Sequence, residues 1–324
     1  MAAATSRIAS RNRKFALEVH FTSRFGWPAA AYAARAILLL GLVAAGLPAA
    51  AQSPVPARVQ RGEYLFHAGG CLGCHTDTKN NGAPLAGGRE IKTPFGSFYG
   101  PNITPHPTSG IGSWSEEQFR GALRDGVRPD GAHYFPAFPY TSFTGMSDAD
   151  IGDLWAYLRT VPPSAQPSKP HGIGFPFNVR LAMIGWKALF FTPGPFKPDP
   201  AKSHEVNRGA YLVNALGHCG ECHTPRNLAG GLDRSKWLAG GVIAEGVAPN
   251  LTPHPETGLG KWSDGDFADL LKMGMTSDGD FVGGEMAEVV KETTGKLTDA
   301  DLKAVIAYLR SLPPVENRVR KPKG

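Results

Sequence analysis

The sequence predicts an all-α, loop-rich protein in which one small domain occurs twice. Two observations predict this: segments 148 positions apart match each other, and each copy ends in an amphipathic helical pattern. With 40 Gly and 28 Pro among 324 residues, much of the backbone must lie in turns. Something other than regular secondary structure must therefore help to organise the chain. The expected domains are 55–165 and 204–315, with a Pro-rich linker at 166–203 and a basic tail at 316–324.

The first 51 residues have the pattern of an export signal. An apolar run at 36–51 follows Arg35 and ends in small residues just before Gln52, which is typical of a cleavable signal. An uncleaved anchor is the alternative. The segment holds six Lys or Arg and one Glu, so it supplies +5 of the net charge of +6. The nearly neutral remainder has no basic patch for phosphate contacts, so we expect no nucleic-acid binding, and we expect a soluble or peripheral mature body.

Each copy is predicted to open and close with a helix. The opening segments begin at Arg61 and Arg208 and read Arg-Gly-x-Tyr-Leu. The closing helices follow Ser147 and Thr298, which are N-cap residue types with acidic residues in the next turn. Their apolar faces recur at three- and four-residue spacing, and a Pro-Pro pair ends each helix.

All four cysteines lie in two Cys-x-x-Cys-His motifs. These motifs are Cys71, Cys74 and His75 in the first copy, and Cys219, Cys222 and His223 in the second. The spacing is typical of c-type haem attachment, in which two thiols add to the vinyl groups and the histidine binds the iron. A redox dithiol would need a βαβ setting, and a four-Cys zinc site would leave both histidines unused. We therefore expect two covalently bound haem c groups.

Both copies resemble class I cytochrome c domains. Residues 55–315 further resemble the dihaem cytochrome c subunits of periplasmic dehydrogenase complexes, those of alcohol and aldehyde dehydrogenases and of molybdenum hydroxylases. Four segments carry this closer resemblance, namely Pro-Asn-Ile-Thr-Pro at 101–105, Gly-Ile-Gly-Ser-Trp-Ser at 110–115, Tyr-Phe-Pro-Ala-Phe-Pro-Tyr at 134–140 and Trp-Lys-Ala-Leu-Phe-Phe at 186–191.

The resemblance implies several contacts around each haem. The carbonyls of Pro101 and Pro249 would accept hydrogen bonds from Nδ1 of the two motif histidines. Trp114 and Trp262 would lie near a haem propionate, with plain core packing as the alternative. His106 and His254 occupy matching loop positions beside the Pro-Asn segments, and we expect them to structure those loops, with distal ligation as the alternative. The linker aromatics Trp186, Phe190 and Phe191 are expected to pack between the domains, with a membrane contact as the alternative.

The sixth iron ligand differs between the copies. Met286 follows Asp278-Gly279 and precedes Thr298 by 12 residues, and we expect it to be the sixth ligand of the second haem. The 148-residue shift places Phe138 at that point of the first copy. Phenylalanine cannot bind iron. Met146 and Met183 are therefore alternative sixth ligands of the first haem, beside an open position.

The predicted function is electron transfer in the periplasm, at the inner membrane at most peripherally. The donor would be a dehydrogenase of the molybdenum hydroxylase or quinoprotein type, and the acceptor a cytochrome, a quinone or an oxidase. Substrate oxidation would belong to the donor, so this chain would be a non-catalytic subunit. The alternative is a haem enzyme, a peroxidase or an oxidoreductase of small sulfur or nitrogen species, acting at an open first haem with His133 as proton donor.

Overall fold

A computed structural model describes residues 56–244 and 246–320. The predicted export signal and the last four residues of the basic tail lie outside this part of the chain.

The regular secondary structure of the described residues is mostly helical, with long loops between the helices. The α-helices are α1 (Ala57–Ala68), α2 (Cys71–His75), α3 (Glu116–Asp125), α4 (Tyr140–Phe143), α5 (Asp148–Leu158), α6 (Ala182–Phe190), α7 (His204–Tyr211), α8 (Gly220–His223), α9 (Asp264–Met273), α10 (Gly284–Glu292) and α11 (Asp299–Ser311). A π-helical segment at Leu212–Leu216 continues α7. None of the helices in the described ranges is long and apolar enough to cross a membrane.

Two small antiparallel sheets accompany the helices, so the all-α prediction is right for the helices and misses the strands. Strands β1 (Glu90–Thr93) and β2 (Gly96–Tyr99) form a hairpin, and β3 (Gly172–Ile173) adds to its edge. Strands β4 (Gly241–Ile243) and β5 (Gly246–Ala248) form the matching hairpin of the second copy. Both hairpins lie in the Gly-rich stretch after a Cys-x-x-Cys-His motif. Their strands are too short for an alternating apolar pattern to indicate them in the sequence.

The first and last helices of each copy cross at a glycine. A Cβ atom on Gly62 would lie 2.0 Å from the carbonyl oxygen of Asp153, and one on Gly209 would lie 1.8 Å from that of Ala304. Helix α1 can therefore pack on α5, and α7 on α11, only because these positions lack a side chain. The predicted N-caps are confirmed, since Ser147 and Thr298 accept hydrogen bonds from the third residues of α5 and α11.

The two copies join through matching hydrogen bonds. The hydroxyl of Tyr64 on α1 donates to the carboxylate of Asp301 at 2.5 Å, and that of Tyr211 on α7 donates to Asp150 at 2.5 Å. Burial, with the hydrogen bond to Asp301, raises the pKa of Tyr64 to about 12, which keeps the hydroxyl a donor. Each tyrosine thus contacts the first turn of the other copy's last helix. The two hydrogen bonds are reciprocal between the copies.

The linker follows the surface of the first copy. Lys187 of α6 donates from Nζ to the carbonyls of Asp125 and Gly126 at 2.6 and 2.9 Å. Arg180, just before α6, donates to the carbonyl of His133 at 2.9 Å. Helix α6 is therefore fixed to the end of α3 and to the loop that follows it.

The predicted packing of the linker aromatics is confirmed. Trp186 donates from Nε1 to the carbonyl of Ala229 at 2.9 Å, and the Phe190 ring covers Gly231. The Phe191 ring lies edge-on to Tyr140, with ring centres 5.1 Å apart. These three side chains connect the linker to both copies.

Candidate functional site

Each Cys-x-x-Cys-His motif forms one short helix, α2 in the first copy and α8 in the second; we call these the motif helices. The chain enters α2 through Gly70 in the left-handed conformation, with φ at 64°, and enters the second motif through His218, with φ at 41°. Residues three apart lie on one side of a helical turn, so both thiols of a motif face the same way. The histidine ends the helix, because the next residue is extended in both copies.

Both motif histidines have the hydrogen bond that the resemblance implies. Nδ1 of His75 lies 2.7 Å from the Pro101 carbonyl oxygen, and Nδ1 of His223 lies 2.8 Å from that of Pro249. A carbonyl can only accept, so each Nδ1 carries the proton and each Nε2 keeps its lone pair. Burial lowers the pKa of both imidazoles, against the opposing effect of the proline carbonyl. The neutral imidazole that results is the form that binds a metal.

A buried asparagine fixes each proline carbonyl. The Asn102 amide donates to the carbonyls of Ser164 and Gln166, both at 2.8 Å, and its oxygen accepts from the backbone and hydroxyl of Thr104. It therefore fastens the segment that follows α5 to the loop carrying Pro101.

The second copy repeats the arrangement. Asn250 donates to the Val315 carbonyl at 2.8 Å and accepts from Thr252. The Pro-Asn-x-Thr segment is repeated in the sequence, but sequence analysis assigns a contact only to its proline and misses the asparagine and the threonine. The recurrence of Asn and Thr in both copies was the signal that could have revealed this second task.

No disulfide joins the four cysteines. Burial is the main cause that raises the pKa of Cys71 to about 12, and that of Cys74 and Cys219 to about 11. Paired neutral thiols beside a histidine with a free Nε2 fit a covalently attached haem, because the ring is apolar and its iron needs one nitrogen ligand on this side.

The motif helix of each copy contacts the other copy. Glu221, inside the second motif, accepts hydrogen bonds from Thr141 and Ser142 of α4 at 2.7 and 3.0 Å. In the opposite direction, Glu288 of α10 accepts a hydrogen bond from Arg89 of the first copy at 2.9 Å. The Glu288 carboxylate also lies beside Gly73 of the first motif helix, 3.6 Å from where a Cβ of Gly73 would be. Both motif helices therefore lie along the boundary between the copies.

Met286 lies in the first turn of α10 and is half-buried. In the first copy, Phe138 precedes the four-residue α4, and its ring packs against Tyr134 and Phe143 with centres 5.1 and 5.8 Å apart. The last helices match at a shift of 151 rather than 148, as Tyr157 and Tyr308 show. The second copy thus has three additional residues here, and they fall where α10 is five residues longer than α4.

The other predicted ligand candidates lie in different settings. Met146 is fully buried in the core shared by the two copies, directly before the Ser147 cap. Met183 is half-buried on α6, the helix that Lys187 fixes beside the first copy's loop. Nδ1 of His133 lies 2.8 Å from Nζ of Lys187, so this ring accepts a hydrogen bond from the linker.

The two loop histidines structure their loops as predicted. Nδ1 of His106 accepts from the backbone of Ser109 at 3.1 Å, and Nδ1 of His254 accepts from that of Thr257 at 3.1 Å. Trp114 and Trp262 both pack at the edge of the core.

Comparison with known proteins gives matches over both copies. The family model for cytochrome c matches residues 59–162 and 206–313. A diheme cytochrome c-type protein of Cereibacter sphaeroides is 46% identical over 261 residues, covering 79% of this chain and 86% of that protein.

Two further relatives are named as components of dehydrogenases. The fructose dehydrogenase cytochrome subunit of Gluconobacter japonicus is 42% identical over 90% of this chain and 60% of its own length. The cytochrome c subunit of the quinone-dependent alcohol dehydrogenase of Gluconobacter oxydans is 42% identical over 90% of this chain and 61% of its own length. This chain thus spans only part of these longer relatives. The matches to both copies show that the chain belongs to the cytochrome c family, whose domains bind haem c covalently.

Proposed function

We propose that this chain is an exported dihaem cytochrome c that receives electrons from a partner dehydrogenase and passes them to a respiratory acceptor. Its place would be the periplasm, and the acceptor a cytochrome, a quinone or an oxidase. Bound haem c supplies one-electron redox chemistry. The names of the relatives support the donor, because several are cytochrome subunits of dehydrogenases. Substrate oxidation belongs to that donor, of the molybdenum hydroxylase or quinoprotein type.

The roles of the side chains follow from their positions. Cys71 and Cys74 hold the first haem, and Cys219 and Cys222 hold the second. His75 and His223 bind the iron through Nε2, since Nδ1 is bonded to a proline carbonyl in each copy. That bond prevents the imidazole from rotating and makes it a better electron donor to the metal.

The observation that carries the proposal is the mutual packing of motif helices and distal loops. By distal loops we mean residues 126–146 and 274–297. The first distal loop contacts Glu221 of the second motif helix, and the second contacts Gly73 of the first. Both motif helices therefore lie at the boundary between the copies, and haem groups attached to them would each be held beside the other copy, which favours electron transfer inside the chain.

The two haems are proposed to differ in their sixth ligand. Met286 would bind the second iron. Met146 or Met183 would bind the first, because Phe138 stands where the second copy has its methionine.

Optical and electron paramagnetic resonance spectra of the mature holoprotein test these assignments. We expect two covalent haems per chain and the loss of one low-spin His/Met signal in Met286→Ala. Met146→Ala and Met183→Ala identify the other ligand. Met273→Ala is the matched control, because Met273 is exposed at the end of α9. Fewer than two covalent haems, or an unchanged spectrum in Met286→Ala, would contradict the proposal.

Phe138 also favours a second candidate function, a haem enzyme acting at an open first iron. This candidate requires a high-spin haem that binds carbon monoxide or cyanide in the wild-type protein. The proton donor considered for it, His133, has its Nδ1 bonded to Lys187. Two low-spin haems in the resting protein would exclude this candidate.

A further inference from the structure

A Glu–Arg ion pair lies against each motif helix, and the two pairs are built differently. In the second copy, Glu221 is part of the motif itself, and Arg226 donates to its carboxylate at 2.5 Å. In the first copy, Arg89 donates to the carboxylate of Glu288 at 2.9 Å, and Glu288 comes from α10 of the other copy. Both carboxylates are largely covered, since 11% of the Glu221 side chain and 26% of the Glu288 side chain are exposed. Each motif thus has one carboxylate and one guanidinium beside it.

The two carboxylates belong to matching points of the motifs. The 148-residue shift places Gly73 at the position of Glu221, between the two cysteines of the motif. Gly73 has no side chain, and Oε1 of Glu288 lies 3.6 Å from where its Cβ would be. Glu288 therefore brings a carboxylate from the other copy to the point of the first motif where the second motif has a glutamate of its own.

Packing fixes both partners of the first pair. Just after α10, Oγ1 of Thr293 lies 3.3 Å from where a Cβ of Gly70 would be, so this segment follows the first motif helix from residue 73 back to residue 70. Val290, on the same helix, is 6% exposed and belongs to the core of the second copy. The Arg89 side chain is 13% exposed and also donates to the Thr78 hydroxyl at 3.1 Å. The pair is therefore held by two packed surfaces rather than by two free side chains.

Both charges of the pair act on the sulfur of Cys74, to which the first haem would be attached. Burial is the main cause that raises the pKa of Cys74 to about 11. The Arg89 cation opposes this rise, whereas the Glu288 and Glu285 carboxylates add to it. Charges that act on this sulfur also act on a ring bonded to it. Ferric haem has one more positive charge than ferrous haem, so a carboxylate here favours the oxidised form and a guanidinium the reduced form.

We propose that Glu288 of the second copy sets the reduction potential of the first haem, in balance with Arg89. This role rests on the proposed dihaem function and adds to it a residue through which one copy adjusts the haem of the other. Glu288 lies two residues after Met286 on α10. The helix that would supply the sixth ligand of the second haem thus also supplies the charge beside the first motif. Both motifs receive the same pair of charges, although only the second contains its own glutamate.

A redox titration of the mature holoprotein, followed in the haem absorbance bands, tests the proposal. Glu288→Gln removes the carboxylate and leaves the cation, so the potential of the first haem should rise. Arg89→Gln leaves the carboxylate, so the same potential should fall, and the double variant should lie close to the wild type. Each single change should alter the equilibrium constant for reduction about threefold to tenfold, and tenfold is about 59 mV for one electron. Met286→Ala identifies which of the two potentials belongs to the second haem.

A relocated carboxylate separates the effect of charge from that of packing. Gly73→Glu, added to Glu288→Gln, supplies a glutamate at the position that Glu221 has in the second motif, and it should return the potential of the first haem towards the wild-type value. Glu292→Gln is the matched control. Its side chain is 18% exposed on the same helix, and it forms an ion pair with Lys291 at 3.0 Å. Both potentials should stay unchanged in this control.

Two results would overturn the role of Glu288 alone. One is an unchanged potential of the first haem in Glu288→Gln. The other is a shift of the same sign in Glu288→Gln and Arg89→Gln, because loosened packing moves the potential in one direction whereas opposite charges move it in two. Haem content, measured on every variant as the pyridine haemochrome, tests the dihaem function separately. Fewer than two covalent haems in the wild type would contradict that function and the role of Glu288 together.

Discussion

Replacing Asn250 by Ala should destabilise the second copy and disturb the histidine that the copy holds. Asn250 is 2% exposed, donates to the Val315 carbonyl and the Thr257 hydroxyl, and accepts from the backbone and hydroxyl of Thr252. The hydroxyls can turn to other partners. The Thr252 N–H would lose the acceptor that it has here, and the Val315 carbonyl would lose the shorter of its two contacts.

The magnitude follows from these two backbone groups. A buried polar group without a partner costs about 1–3 kcal/mol, so for two groups the free energy of unfolding should fall by about 2–6 kcal/mol. The Val315 carbonyl retains a long contact of 3.4 Å from the Thr252 hydroxyl, which favours the lower half of that range. Since Pro249 precedes Asn250, its carbonyl should also lose its fixed position against His223, and the reduction potential of the second haem should change.

Guanidinium unfolding followed by far-ultraviolet circular dichroism measures the first effect, and a redox titration measures the second. Asn317→Ala is the matched control. Asn317 lies in the same C-terminal segment as Val315, and its side-chain amide donates one hydrogen bond among the described residues, to the Ala239 carbonyl at 2.9 Å. The substitution should therefore cost about 1 kcal/mol and leave the reduction potential of the second haem unchanged. The reasoning is refuted if the two variants unfold alike and both potentials match the wild type.

Two further predictions concern the helix crossings and the boundary between the copies. Gly209→Ala should lower the free energy of unfolding by about 3 kcal/mol, because its Cβ would meet the Ala304 carbonyl. Gly121→Ala is the control and should raise the free energy of unfolding by about 1 kcal/mol, because nothing lies within 4 Å of its Cβ. Equal urea midpoints of the two variants would contradict this prediction. Burial opposes ionisation of Asp301, but hydrogen bonds from Arg208 and Tyr64 outweigh it and lower the pKa of this carboxyl. Its stabilisation is therefore present above the usual pKa of about 4 and is lost as pH falls through the lowered value, so Asp301→Asn should be less stable than wild type at pH 7 and similar to it at about pH 2. A constant difference across urea titrations at both pH values would count against the assignment.

The repeat, the caps and the motif positions could be predicted because each depends on local sequence. Ser147 and Thr298 cap their helices through neighbours three residues away, and each Cys-x-x-Cys-His motif fits one helical turn. The contacts between copies could not be predicted in this way. Tyr64 and Asp301 are 237 positions apart, and no pattern in either segment indicates their hydrogen bond. The exposure of Leu181, Ile184 and Leu189 in and beside α6 could not be predicted from the sequence either. Apolar residues at helical spacing ordinarily indicate the side of a helix that faces the core.

The linker explains how the two copies can differ at their distal loops while keeping one fold. In the second copy, a Cβ on Gly274 at the end of α9 would contact Val282 and Val290, the latter on the nine-residue α10. The first copy has only the four-residue α4 there, and Tyr140 covers the equivalent Gly126. Lys187 then lies over the Tyr140 ring and donates to the Gly126 carbonyl, so α6 supports from outside a loop that α10 supports from within. Because the linker supplies this support, the shape of the first distal loop does not depend on a helix such as α10. Phe138 can therefore stand where the second copy has Met286 without loss of the fold, and the two copies surround their motif helices unequally.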